Sequence, residues 1–127
     1  MNSRIGKIAN VSLAISWFYQ GLMPKIIFKH PQEIAMVTNS GVFSEEQAVT
    51  IVMVAGILEC IFASAFLLFP HSKIVHWLNI SALTVLCAGA LFTEISLFIF
   101  PFNPATLSIT MIALSLISLE CNTTEQN

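Results

Sequence analysis

Two apolar stretches decide the fold class of this chain: residues 55–66 (AGILECIFASAF) and residues 89–100 (GALFTEISLFIF). Each contains a single carboxylate, Glu59 in the first and Glu94 in the second. An ionised acid inside a bilayer is costly, so such residues usually face a bundle interior or an aqueous cavity. Glu59 and Glu94 therefore mark where a functional site is expected.

The composition of the whole chain also indicates membrane-spanning helices. Only 9% of the 127 residues are charged, whereas a soluble domain averages about 25%. Four apolar segments, at about 8–24, 47–69, 76–100 and 104–120, approach the roughly 17–25 residues that a spanning helix needs. They predict one transmembrane domain over residues 1–127, with no room for a second domain. The net charge of -2 gives no sign of a nucleic-acid partner.

Helix start signals separate the four segments. Residues 31–37 begin with a proline and predict a short amphipathic helix at the membrane surface. Ser44 and Gln47 match a capping box that opens the second long helix. Asn103 precedes Pro104 as an N-cap of the fourth. The short connections predict an all-α, antiparallel bundle of four transmembrane helices, with the interfacial helix between helices 1 and 2.

The basic residues divide unevenly between the two ends of such a bundle. Arg4, Lys7 and Lys73 fall at the end that holds both termini, and Lys25 and Lys29 fall at the other. Because Lys and Arg concentrate in cytoplasmic segments, this small excess predicts cytoplasmic termini.

Glu59 lies near the middle of the second long helix, beside the small residues Gly56 and Ala63. Small faces are where membrane helices approach closely, so Glu59 is expected to point into the bundle. Two interpretations stay open. Glu59 is either a structural acid bonded to a neighbouring helix, or an acid that binds a ligand or handles protons.

A stripe of helix 1 carries Trp17, Gln20, Gly21 and Lys25 at helical spacing. Glu94 falls in the same half of the membrane. We predict a polar pocket that opens away from the termini, with Lys25 and Glu94 paired on its wall and Trp17 at its floor. In the competing picture Lys25 snorkels into the headgroups, and Glu94 bonds to a neighbouring helix without a cavity.

Metal and thiol chemistry find no support in the pattern. The three cysteines, Cys60, Cys87 and Cys121, are single and far apart, as packing residues are. The histidines fall at predicted helix ends without matching spacing, so no metal is expected.

Several motifs together resemble the DoxX-like family. They are residues 17–25 (WFYQGLMPK) followed by 30–33 (HPQE), residues 55–59 (AGILE) and residues 102–104 (FNP). The resemblance implies a four-helix protein of the bacterial inner membrane. Family members include a small subunit of a quinone-linked oxidoreductase, and eukaryotic homologues are linked to the assembly of other membrane proteins. The chain lacks the paired cysteines of related thiol-oxidising bundles.

Three functions remain open. In the first, the chain is an accessory to a membrane redox system and binds a quinone or another amphiphile among Trp17, Gln20, Gly21, Lys25, Glu59 and Glu94. In the second, it is a non-catalytic membrane scaffold or assembly factor. In the third, it is a small proton-coupled carrier. The expected partners are the lipid bilayer and a second copy or another membrane protein, and an enzyme acting alone is not expected.

Overall fold

The computed structural model describes residues 2–126, and these residues form helices joined by short connections. We number the α-helices in chain order and name the two irregular helices by their type. The elements are α1 (Asn2–Gly21), a π-helix (Leu22–Ile27), α2 (Pro31–Thr38), α3 (Glu45–Leu68), α4 (Lys73–Thr93), a 3₁₀ helix (Ile95–Ile99) and α5 (Pro104–Gln126).

Three helices are long and apolar enough to cross a membrane within the part of the chain described: α3, α4 and α5 over Pro104–Glu125. This finding confirms an all-helical chain with several membrane-length helices. The first predicted span, α1, is not among the three. Its first half contains Arg4, Lys7 and Asn10, which lower its hydropathy.

The long helices alternate in direction. The amide of Asn10, near the middle of α1, and that of Asn122, near the end of α5, both reach the carbonyl of Pro70, which lies between α3 and α4. We call this the termini end. At the opposite end, which we call the loop end, the Asn39 amide after α2 donates to the carbonyl of Thr93, where α4 ends.

α1 occupies a central position. It packs against both α3 and α5, α5 also packs against α4, and α2 lies on α3. Ala9, Leu13 and Trp17 recur every fourth residue on the buried face of α1. They meet a core that also contains Phe66 of α3, Leu83 of α4 and Met111 of α5.

The predicted helix starts are confirmed. Ser44 and Gln47 form both hydrogen bonds of the capping box, and Pro31 occupies the first turn of α2. The Oδ1 atom of Asn103 accepts hydrogen bonds from the backbone of Ala105 at 3.0 Å and Thr106 at 3.2 Å. These bonds satisfy donors that every helix N-terminus leaves free.

Several helix ends differ from prediction. The third long helix ends at Thr93, not near residue 100, because Glu94 leaves the helical conformation (φ -147°, ψ 70°). The residues that follow are as apolar as a helix core, so hydropathy alone did not reveal the break. At the end of α1 the chain does not stop at Pro24 but continues as the π-helix to Ile27. The α1 and α5 helices also extend further toward the termini than the predicted 8–24 and 104–120.

Candidate functional site

The strongest charge cluster joins three elements near the loop end of α1. The Nζ atom of Lys25, in the π-helix, lies 3.2 Å from a carboxylate oxygen of Glu59 in α3 and 3.3 Å from one of Glu33 in α2. All three side chains are mostly buried: 11% of the surface of Lys25 is exposed, 12% of that of Glu59 and 18% of that of Glu33. We call Lys25, Glu33 and Glu59 the charge triad.

Pro24 helps to place the lysine. Proline has no N–H, so the carbonyl of Gln20 loses the donor that a regular α-helix would supply four residues later. The Nζ atom of Lys25 lies 3.5 Å from this carbonyl oxygen. Freed backbone groups at membrane depth need another donor, and the inward-turned ammonium supplies one.

Two glycines bring α1 and α3 close enough for the triad to form. A Cβ atom added to Gly21 would lie 2.5 Å from the backbone oxygen of Gly56. One added to Gly56 would lie 2.7 Å from the oxygen of Gly21 and 2.8 Å from the Cβ of Lys25. Any larger residue at either position would push the helices apart. The small face predicted around Glu59 therefore does serve a close helix crossing.

The contact between Lys25 and Glu59 is an ion pair rather than an aligned hydrogen bond. The Oε2 atom of Glu59 is shielded from solvent and accepts no hydrogen bond of good geometry, but the ammonium 3.2 Å away supplies its charge partner. Two carboxylates share one cation, so the triad links three elements through opposite charges. Glu33 was not among the predicted site residues.

Glu94 has different partners, and the predicted Lys25–Glu94 pair is wrong. The Glu94 carboxylate accepts hydrogen bonds from the amide of Asn39, at 3.1 Å, and from the hydroxyl of Ser96. The prediction assumed that Glu94 lay on the inner face of a continuous helix. Because α4 ends at Thr93, Glu94 lies just outside the helix. Its side chain instead connects the end of α4 to the segment after α2.

Trp17 lies in the core, as a residue facing protein rather than lipid. Its side chain is 4% exposed, and its Nε1 donates to the Oδ1 of Asn79 in α4 at 2.7 Å. The Asn79 amide donates in turn to the hydroxyl of Ser115 in α5 at 2.7 Å. That hydroxyl also lies 3.2 Å from Nδ1 of His76. This core network connects α1, α4 and α5.

Sequence reasoning missed the core network and a second polar contact near the termini. There, Ser118 of α5 donates to the Oδ1 of Asn10 in α1 at 3.1 Å. A usable signal was present, since a polar residue within an apolar run must find a partner inside the bundle. Asn79 interrupts such a run, and Ser115, Ser118 and Asn122 recur at helical spacing along α5.

Two surface grooves stand out, and neither includes Trp17, Lys25, Glu59 or Glu94. One, of about 320 Å³, lies between α1 and α5 and is lined by Ile15, Ser16, Tyr19, Gln20 and Leu107. The other, of about 290 Å³, lies between α4 and α5. Of the predicted site residues, Gln20 lines the first of these two grooves. Among residues 2–126, no three His, Cys, Asp or Glu side chains converge as a metal site requires.

The helices and their polar contacts define a small, all-helical integral membrane protein. The model of the DoxX-like family matches residues 14–116, which is most of the chain. The chain therefore belongs to the DoxX-like family, as its motifs indicated. Neither a curated protein nor a solved structure matches it.

Proposed function

We propose that this protein is a small scaffold or accessory subunit of the bacterial inner membrane. In this proposal α1, α3, α4 and α5 all cross the bilayer, both termini are cytoplasmic, and the protein acts by binding other membrane proteins. The charge triad and the core network then stabilise the packing of the helices in one arrangement.

One observation carries the proposal: the ammonium of Lys25 already contacts two carboxylates of its own chain, Glu33 and Glu59. A lysine that received an anionic ligand would need a free direction of approach. Here its charge is matched by elements on two sides, and the glycine crossing closes in beside it. The triad is arranged to hold the π-helix, α2 and α3 together.

The outer faces of the helices supply surface for a partner. Only 22% of the most apolar stretch of α3 and 28% of that of α4 is buried within the chain. On α3 the exposed apolar residues include Val54, Leu58 and Ile61, and on α4 they include Ile74, Leu78 and Val85. These faces are suited to lipid or to helices of another membrane protein.

A second candidate function rests on the groove between α1 and α5. The polar residues Ser16, Tyr19 and Gln20 line this groove beside the apolar Ile15 and Leu107. A few polar groups in an apolar cleft suit a quinone-like head group. In this reading only Gln20 of the predicted ligand-binding residues contacts the ligand directly.

A comparison of stability with ligand response separates the two functions. We would purify the wild type, Glu59→Gln, Glu59→Leu and Gln20→Leu in mild detergent and measure thermal unfolding with and without a short-chain ubiquinone analogue. The scaffold proposal expects no shift with the analogue, a mild loss for Glu59→Gln and a larger loss for Glu59→Leu. Stabilisation by the analogue that Gln20→Leu abolishes would instead establish the ligand-binding function.

Partner binding needs its own test. A photo-crosslinking amino acid at position 58 of α3 or 85 of α4, in cells that produce the full-length protein, should give discrete protein adducts. The matched control places it at the core position 13, which is fully buried. Adducts with lipid alone at both outer positions would contradict the scaffold proposal.

A further inference from the structure

The connection between α4 and α5 has an unusual surface for a loop. No charged residue follows Glu94 until Glu120. Three of its apolar side chains are largely exposed: Ile95 is 67% exposed, Ile99 83% and Phe102 96%. Leu97 and Phe98 are half-buried. Exposure of such an apolar patch to water is energetically unfavourable. Large exposed apolar patches mark sites that contact another apolar surface.

The polar side chains of the same connection are hydrogen-bonded within the chain. The hydroxyl of Ser96 donates to the Glu94 carboxylate, and the Asn103 amide donates to the carbonyl of Phe100 at 3.0 Å. The side-chain oxygen of Asn103 caps α5. This distribution, with polar groups bonded within the chain and apolar groups outside, is what a segment in contact with lipid requires.

We propose that residues 95–102 form an interfacial anchor, inserted at the boundary between headgroups and acyl chains on the loop-end side of the bilayer. Its occupant is bilayer lipid. The anchor continues the exposed apolar faces of the helices it joins, with Phe92 of α4 87% exposed and Ile109 of α5 68% exposed. The exposed apolar side chains therefore form one continuous surface from α4, through the connection, to α5.

The connection between α2 and α3 provides a contrast at the same end of the molecule. The amide of Asn39 in that connection reaches Thr93 and Glu94, so the two connections are neighbours. Yet residues 39–46 are mainly polar, and their acids Glu45 and Glu46 are exposed. Val42, 73% exposed, lies in this polar setting. It is a matched control for Phe102.

The test measures the surroundings of a probe at each position. In a background with Cys60, Cys87 and Cys121 changed to alanine, Phe102→Cys and Val42→Cys would each be labelled with the fluorophore NBD and reconstituted into phosphatidylcholine vesicles. We expect doxyl-labelled lipid to quench the probe at position 102 at least threefold more than the probe at position 42. Aqueous iodide should show the opposite order.

Two results would overturn the proposal. Equal iodide quenching at both positions would mean that the loop lies in water. Protection of position 102 from both quenchers would mean that protein, such as a second copy of the chain, covers it. If the cysteine-free background fails to fold, Phe102→Trp and Val42→Trp in the native chain give the same comparison, from their emission relative to wild type.

Discussion

At the residue scale, Lys25 is the side chain on which the arrangement at the loop end depends. Removing a partner from a buried ion pair leaves an uncompensated charge and costs about 3–5 kcal/mol. We expect Lys25→Met to lower the free energy of unfolding by about this much, because Glu33 and Glu59 then lose their shared cation. Glu59→Gln should cost less, because Glu33 still compensates Lys25. The double variant should lose less than the sum, by about 1–3 kcal/mol. Unfolding in mixed detergent, followed by circular dichroism, measures this coupling.

The same cycle with Glu94 is the control. Lys25→Met combined with Glu94→Gln should be additive within about 0.5 kcal/mol, because Glu94 bonds to Asn39 and Ser96 and not to Lys25. Coupling in this second cycle, with additivity in the first, would contradict the assignment of partners.

This difference shows how far the sequence could reach at single residues. The small residues around Glu59 correctly predicted a close crossing of α3 with another helix, because side-chain volume follows directly from residue type. The ion-pair partners of Lys25 could not be predicted, because they depend on where two helices end. Pro24 gives rise to a π-helix and Glu94 falls outside α4, and both shift side chains from the faces that regular helices would give them.

The glycine crossing gives a sharp steric prediction. Gly56→Ala should strongly destabilise the protein, because the added Cβ would lie 2.7 Å from a backbone oxygen that cannot move independently of its helix. Overpacking of this kind costs about 1–3 kcal/mol. Gly89→Ala is the control, since a Cβ atom added there would meet no atom within 4 Å. A comparable loss in thermal stability for both variants would disprove the close crossing.

At the element scale, the core network fixes how α1, α4 and α5 meet. Trp17→Phe keeps an aromatic ring but leaves the oxygen of Asn79 without its donor, which costs roughly 1–3 kcal/mol. Trp77→Phe is the matched control, because Trp77 is 56% exposed. We expect a lower unfolding temperature for the first variant only. Equal unfolding temperatures for the two would show that the hydrogen bond does not contribute.

The short helix α2 depends on polar contacts for its position, because none of its residues is fully buried. Glu33→Gln removes one of those contacts. Because Glu59 still compensates Lys25, the loss of stability should be local and smaller than that of Lys25→Met. Hydrogen exchange of the backbone amides of residues 33–38 should then become a few-fold faster, while that of α3 stays unchanged. Glu45→Gln, at an exposed position, should leave both rates as they are. Faster exchange throughout the chain would point to global rather than local loosening.

The elements themselves were more predictable than their ends. Capping residues at Ser44, Asn103 and Pro31 act locally, within one turn of the chain, so the sequence located three helix starts. The end of α4 depends on tertiary contacts: Asn39, from a distant segment, bonds to both Thr93 and Glu94. An apolar run that continues past such an end carries no local signal of it.

At the scale of the whole molecule, the number of spans decides the topology. Three spans place the termini on opposite sides of the membrane, and four place them on the same side. The contact of Asn10 with Pro70 aligns α1 with the helices it packs against. The proposal of cytoplasmic termini rests on the excess of Arg4, Lys7 and Lys73 over Lys25 and Lys29 in the sequence.

Cysteine labelling in intact cells tests this topology. In the cysteine-free background, Ser3→Cys and Thr124→Cys should resist a membrane-impermeant maleimide until the inner membrane is permeabilised. Val42→Cys, at the loop end, should react from outside and serves as the control. If α1 lay on the surface at the loop end, position 3 would react together with position 42 while position 124 stayed protected. That pattern would leave three spans and contradict the packing of α1 between α3 and α5.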